Sequence, residues 1–477
     1  MFVTADTKHI IIPWRADLAS VIPHARELTH EGKRLLVVPN RTDEARVARN
    51  LGIQIPAPIL TRYNWRGGKP WEIQKTTAAM LTENPKVYCL NEFGCVDADT
   101  EYLSPQGWRR IADYQDGLVA EYRPEIGSIG FVEAEYVKLP CDEMIRFKTR
   151  YGIDQLLSPE HRVLYVDRAG ERQVTSAQTL YNRYDQMKNK DVRFITTFRV
   201  DGGRRLKLTD AELRLHVAIT ADGYNPYGGR IDVRVKKPRK IARMHQLLND
   251  AGIAYRDRPV QPEGFRTFTI EWPYTKGFTQ SYDIDQHQLE VIADEAVHWD
   301  GSMRKAGLRE FSTAKQVEAD FIQFAYAASG RCARLVLTER HRRGRDEQEW
   351  RVLARRKALI GFAQVNQRAT RAITKEPSSD GYKYCFMVPS TYLLLRRNGC
   401  IFATGNTGKT RSVIWAADWL RQDAGLGRVL ITAPLSTLTP VWESELFRVL
   451  PKARVRVLHG TRAERLQRLA EDADFYV

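Results

Sequence analysis

Two positions far apart in the chain carry the residue types of acyl transfer. Cys95 directly follows Gly94. A thiol placed there can attack the open Gly94 carbonyl and turn the amide into a thioester. At the other position Asn406 precedes Thr407. An asparagine amide can cyclise onto its own carbonyl and release the chain beyond it, while the Thr407 hydroxyl can take the acyl group from the thioester. Both positions sit at breaks in a third pattern. Thr407-Gly408-Lys409-Thr410 reads like the end of a phosphate-binding loop, which needs a strand and a glycine turn before it and a helix after it. The helix is there, from Ser412 to Leu420, but Asn406 stands where such a loop has glycine. The missing half lies upstream, at residues 86–90 and then Asn91-Glu92-Phe93-Gly94. Joined, Gly94 and Thr407 complete Asn-Glu-Phe-Gly-Thr-Gly-Lys-Thr. The 312 residues from Cys95 to Asn406 read as a self-excising insert.

The segments that must position these residues differ in character. After Cys95 come short runs with turn residues between them, expected as strands at 118–122, 130–137, 144–149, 155–157 and 162–166. His161 closes Ser158-Pro-Glu-His161. This all-β run resembles the N-terminal splicing block of an intein, the Hedgehog/intein fold. That block begins with Cys and carries a T-x-x-H motif about sixty residues on, with Ser158 here in place of Thr. The resemblance implies that His161 protonates the departing amide nitrogen. The Ser158 or the Thr100 hydroxyl would hold the oxyanion. Residues 356–406 return to strands at 383–388, 392–395 and 400–403 and resemble the C-terminal intein block. That block ends in Asn; the usual penultimate residue is His, and here it is Gly405. Cys385 matches a position where some inteins carry an active Asp or Cys, and a plain strand residue is the other reading.

Residues 205–355 are helical, basic and internally repeated. Asp222-Gly223 aligns with Asp300-Gly301 at an offset of 78 residues, and Lys237 aligns with Lys315. Helix-like apolar runs precede each pair, at 213–221 and 289–299. Two αββα-type halves in register resemble the LAGLIDADG homing endonucleases. That resemblance implies Mg²⁺ held by Asp222 and Asp300 and attack of water on one phosphate in each strand of double-stranded DNA. Lys237 and Lys315 would stabilise phosphate charge, or stand as solvated surface lysines. Basic strands near 230–239 would follow the DNA backbone. Two repeats in one chain imply a monomer.

The flanks, 1–94 and 407–477, resemble a superfamily 2 helicase-like ATPase of Swi/Snf type. Gln74 matches the adenine-reading glutamine of that family, with a surface glutamine as its bland reading. Gly94, Gly408, Lys409 and Thr410 would cradle ATP and its magnesium. The expected fold is multidomain: an all-β splicing domain at 95–204 and 356–406, an α+β endonuclease at 205–355, and an α/β lobe in two pieces. With 43% hydrophobic and 28% charged residues, the 477-residue chain has ordinary globular material for several domains. Net charge of +16 favours a polyanionic partner. No apolar run approaches a membrane span and no signal peptide opens the sequence. The six scattered cysteines fit thiols in a reducing cytoplasm. Two rival readings keep the chain whole: a helicase-like ATPase with a permanent DNA-binding insertion, and a DNA-binding module without either chemistry.

Overall fold

The computed structural model describes the chain apart from residues 1, 5, 68–69, 71, 85, 87–93, 150–151, 187–190, 228, 261–263, 279–281, 343–344, 362–371, 406–408 and 434–437. The chain divides into two compact units: Met1–Asn91 with Gly408–Val477, and Glu92–Thr407.

In the first unit, Phe2–Val3, His9–Pro13, Lys33–Pro39 and Arg26–His30 form an antiparallel sheet. Alternation puts Ile10, Ile12, Leu36 and Val38 on one face, in a small core with Leu18 and Ala45. A second core is built from both ends of the chain. Ala57, Ile59, Tyr63 and Ala78 share it with Ile414, Trp415 and Trp419. Tyr63 donates its hydroxyl to Asp418 at 2.7 Å. Asp423 accepts from the Thr42 amide and hydroxyl at 2.8 and 2.7 Å. Val429–Leu430, Phe475–Tyr476 and Val455–Arg456 run parallel, and Arg462–Ala470 is the helix that lets the chain cross back. Gln74 lies buried in the helix Glu72–Glu83, so its bland reading as a surface residue is corrected. The expected strand at 86–90 falls almost wholly outside the described residues, as do Asn406, Thr407 and Gly408.

In the second unit, Glu143–Lys148 pairs with β1 (Asp154–Leu157), and β2 (Arg162–Val166) comes after a short turn. The single strand expected at 130–137 is two. Ser128–Val132 pairs with Val119–Arg123, whereas Glu135–Pro140 pairs with a strand from the far end of the insert. The chain changes sheets between them, which no local pattern encodes.

The repeated region opens with α1 (Asp210–Asp222), capped by Thr209 and Glu212 in a reciprocal capping box. A hairpin leads to α2 (Pro238–Asp250), with a second hairpin after it. The other half repeats the order with α3 (Gln286–Glu295), a hairpin, α4 (Gln316–Ala328) and β3 (Cys332–Arg342) paired with Arg345–Arg355. Each half therefore carries a hairpin beyond the expected αββα. Both Asp-Gly pairs need their glycine. A Cβ on Gly223 would lie 2.4 Å from the Ile219 carbonyl oxygen, and one on Gly301 2.6 Å from that of Ala296.

The insert ends in β4 (Tyr382–Met387), β5 (Tyr392–Arg397) and β6 (Cys400–Gly405). β6 pairs with β5 along its length and meets β3 at Arg334–Cys400, with the Leu335 amide on the Gly399 carbonyl at 2.9 Å. The second half of the repeat thus joins the sheet of the β-rich ends at this one bridge, while the strands of the first half form a four-stranded sheet of their own. Arg396 is fully buried at the junction. It binds both Glu101 carboxylate oxygens at 2.7 Å, Asp320 of α4, and Gln323 at 3.0 Å. Gln323 donates onward to the carbonyls of Ala333 and Gly399 at 3.0 and 2.7 Å.

Candidate functional site

The chain after Gly94 is held from two sides. The Cys95 amide donates to Ser158 Oγ and the Ser158 amide to the Cys95 carbonyl, both at 3.0 Å. Val96 and Tyr384 of β4 exchange both backbone hydrogen bonds at 2.8 Å. This antiparallel register sets Cys95 opposite Cys385. Both thiols are buried and free of disulfides. A hydrogen bond with the Cys385 side chain, together with burial, pushes the Cys95 thiol above its ordinary range. It therefore stays protonated at neutral pH and needs a base as it attacks.

A titratable ring lies against the same peptide. His161 comes just after the turn that leaves β1 and is 1% exposed. A Cβ on Gly94 would lie 3.2 Å from His161 Nδ1 and 2.9 Å from its Cα, so the imidazole rests against the Gly94–Cys95 peptide and only glycine fits there. Nε2 meets Thr404 Oγ1 of β6 at 2.6 Å. The Thr404 hydroxyl also reaches the Arg162 carbonyl at 3.3 Å, and the tautomer of the ring sets which partner donates between it and Nε2. Nδ1 faces the Gly94–Cys95 peptide. Burial, with a smaller push from Arg162, lowers the His161 pKa to about 3, against the opposing pull of the Gly94 and Cys95 backbone.

Thr404 was not read from the sequence. Its signal lay two residues before Asn406, but its role depends on β6 pairing with β2. Thr100, weighed for the oxyanion, instead donates its hydroxyl to Asp97 at 2.6 Å. Gly405 is flanked by Tyr392 on β5 and Arg162 on β2. A Cβ on Gly405 would lie 2.8 Å from the Tyr392 ring, and Arg162 donates to the Tyr392 hydroxyl at 2.7 Å. Asn406, Thr407 and Gly408 lie outside the described residues; Lys409 and Thr410 open the helix Lys409–Asp423 in the other unit.

The second constellation joins the two Asp-Gly pairs. Asp222 ends α1, and Asp300 lies just past the 3₁₀ turn after α3. Lys240, on the first turn of α2, donates to Asp222 Oδ2 and stands 3.6 Å from Asp300 Oδ1. The two carboxylates, 23% and 31% exposed, therefore bracket one ammonium group that is 10% exposed. Burial and then the Asp222 charge raise the Asp300 pKa, while Lys240 opposes them. Lys276 donates to the Gly223 carbonyl at 2.6 Å, and its pKa is lowered by burial and by Lys315. Lys237 is the exposed N-cap of α2, and Lys315 caps α4 and pairs with Glu318 at 3.0 Å. The lysines against the carboxylate pair are Lys240 and Lys276. Nothing in the 78-residue alignment marked them, because Lys240 aligns with Glu318.

Two carboxylates closing on a single cation are a donor set that fits a hard divalent ion with water completing its shell. No group of three or more His, Cys, Asp or Glu suited to a metal occurs among the described residues. Among those residues, no helix is long and apolar enough to cross a membrane.

No protein-family model and no curated protein matches the chain. Solved structures give low-scoring likenesses. Full-length WhiA from Thermatoga maritima is 11% identical over 30% of this chain and 50% of its own length, with a TM-score of 0.23. The chain thus spans half of that protein. I-DmoI in complex with DNA and Mn is 12% identical over 30% of this chain and 89% of its own, at 0.22. The AceL NrdHF class 3 split intein is 21% identical over 21% of this chain and 62% of its own, at 0.18. Likenesses at these scores establish neither fold nor activity for this chain.

Proposed function

We propose that residues 95–406 splice themselves out of the chain and join Gly94 to Thr407. The observation that carries this reading is the Cys95–His161–Thr404 line across three segments. Cys95 Sγ attacks the Gly94 carbonyl carbon as His161 Nδ1 takes the thiol proton. The C–N bond breaks, and the same proton passes to the departing Cys95 nitrogen. Thr404 holds the ring in the tautomer this transfer needs, and Ser158 fixes the Cys95 backbone. Cys385, opposite Cys95, tunes the attacking thiol. The Thr407 oxygen then displaces the thiolate. The Asn406 side-chain nitrogen attacks its own carbonyl carbon and breaks the bond to Thr407. An oxygen-to-nitrogen shift leaves an ordinary peptide.

The shared core of Ala78, Trp415 and Trp419 supports a single host domain made from 1–94 and 407–477. In this reading Gly94, Gly408, Lys409 and Thr410 form an ATP-binding loop after joining, with Gln74 nearby in sequence. The middle of the insert, 205–355, is a DNA nuclease centred on Asp222 and Asp300. These residues would hold Mg²⁺, whose chemistry is to polarise a phosphate and lower the pKa of water. Exposed Arg234, Lys236, Lys237 and Arg239 would bind the DNA backbone.

Intact-mass analysis of the expressed chain tests splicing. The expected result is an excised 312-residue insert and a ligated 165-residue product. Cys95→Ala should abolish ligation completely. A Cys95→Ala chain that still yields the ligated product overturns the assignment, and a full-length parent favours the permanent insertion.

A further inference from the structure

The repeat that unites Asp222 with Asp300 also sets Lys240 against Glu318. Both are the third helical residue after their cap, on α2 and α4. The halves are thus equal at the aspartates and at Lys237 and Lys315, and opposite in charge at Lys240 and Glu318. In the first half the Lys240 ammonium is seated on Asp222 and reaches Asp300 at 3.6 Å. Its stem is buried and its charge lies 5.7 Å over the Trp299 ring, so it is held in place and not waving in solvent. In the second half Glu318 takes hydrogen bonds from Lys315 and Thr313, both at 3.0 Å, and adds negative charge near Asp300.

We propose that the nuclease centre is lopsided: Lys240 fills the cation position of the Asp222 half, leaving the Asp300 half to take a divalent ion, and the chain nicks one DNA strand instead of cutting both. This rests on the nuclease reading above. A duplex presents two antiparallel strands to two related halves, so each half serves one scissile phosphate. An ammonium neutralises Asp222 but has no open coordination position for water or phosphate. The half it occupies can bind a strand without hydrolysing it. In the other half, water adds its oxygen to phosphorus, one P–O ester bond breaks, and the leaving oxygen takes a proton.

The test uses the purified protein in whichever form expression yields, whole or excised. The substrate is supercoiled plasmid carrying the uninterrupted Gly94–Thr407 coding junction, with Mg²⁺. Nicked circle should accumulate with little linear product. Mn²⁺ titration should give about one ion per chain. Lys240→Glu, which copies the other half, should raise the count toward about two and bring linear product. Lys240→Met keeps the stem and serves where the extra carboxylate prevents folding; it should tighten Mn²⁺ binding about tenfold, the loss of one close competing charge. Linear product from the parent as fast as nicked circle overturns the proposal. So does unchanged Mn²⁺ binding in both Lys240 variants. Asp300→Asn nicking as well as the parent also overturns the proposal, whereas no nicked or linear product from the parent or either Lys240 variant overturns the nuclease reading itself.

Discussion

The two centres lie in one compact unit yet obey opposite rules. Cys95 and His161 are 0% and 1% exposed and are held as neutral groups. Asp222 and Asp300 are 23% and 31% exposed and face charged lysines. On the proposed function the contrast follows from the substrate. The first centre would act on its own backbone, which is already inside, so water can be excluded and a protonated thiol tolerated. The second would have to admit a polyanion and a hard cation, which suits an open, charged site. Burial is thus a statement about where the substrate comes from.

The largest expected break between the two is Asp300→Asn. Cutting or nicking should fall more than about 100-fold, since even changes to groups that only support a metal's ligands cost about 10–100-fold. Splicing yield by mass should not move. A loss of both would mean that the centres are not chemically separate.

Arg396→Met attacks the comparison from the other side, because Arg396 belongs to neither centre and touches the supports of both. Removing it leaves Glu101 and Asp320 without their buried partner, at a cost of about 3–5 kcal/mol. The urea midpoint should drop and both activities should fall together. Adding Glu101→Gln and Asp320→Asn should recover part of the stability.

A smaller effect is expected at Gly405. From sequence, restoring the usual histidine there should speed release. The structure reverses that expectation, because Tyr392 occupies the space a side chain would need. Gly405→His should slow release about tenfold, the range of an overpacked core. Tyr392→Ala in the same chain should recover it, read by time-resolved mass spectrometry.

The gentlest test is pH. His161 stays neutral in the folded protein down to about 3, while an unfolded histidine titrates near about 6.5. Below that value the unfolded chain gains a proton that the folded one refuses. Stability should therefore fall as pH drops from about 6.5 toward 3, by at most about 1.4 kcal/mol per unit, and stay level above. His161→Gln should lack this slope in denaturant titrations.

The features that could be read from the sequence divide along the same line. Arg162–Val166 is a strand, as its short apolar run between turn residues suggests, and α1 ends at Asp222 one residue beyond the expected limit. The repeat register does bring Asp222 and Asp300 to one cation. Thr404, Tyr392 and Lys240 were not legible because each acquires its role through a partner more than a hundred residues away, or through a helix face meeting another half. The sheet change near 133 was hidden for the same reason. Local pattern gives the strand; the register between distant strands decides what a side chain touches.

The meeting of β6 with β3 has a consequence for inheritance. Excising residues 205–355 from the gene would strip the start of β6 of its neighbour and expose the part-buried Gly399 carbonyl that both Leu335 and Gln323 now cover. Point substitutions at Asp300 carry no such penalty. On the proposed function, a lineage of this insert should therefore lose its nuclease by silencing it in place, and keep the inert domain as scaffolding for the strand that leads to the splice junction.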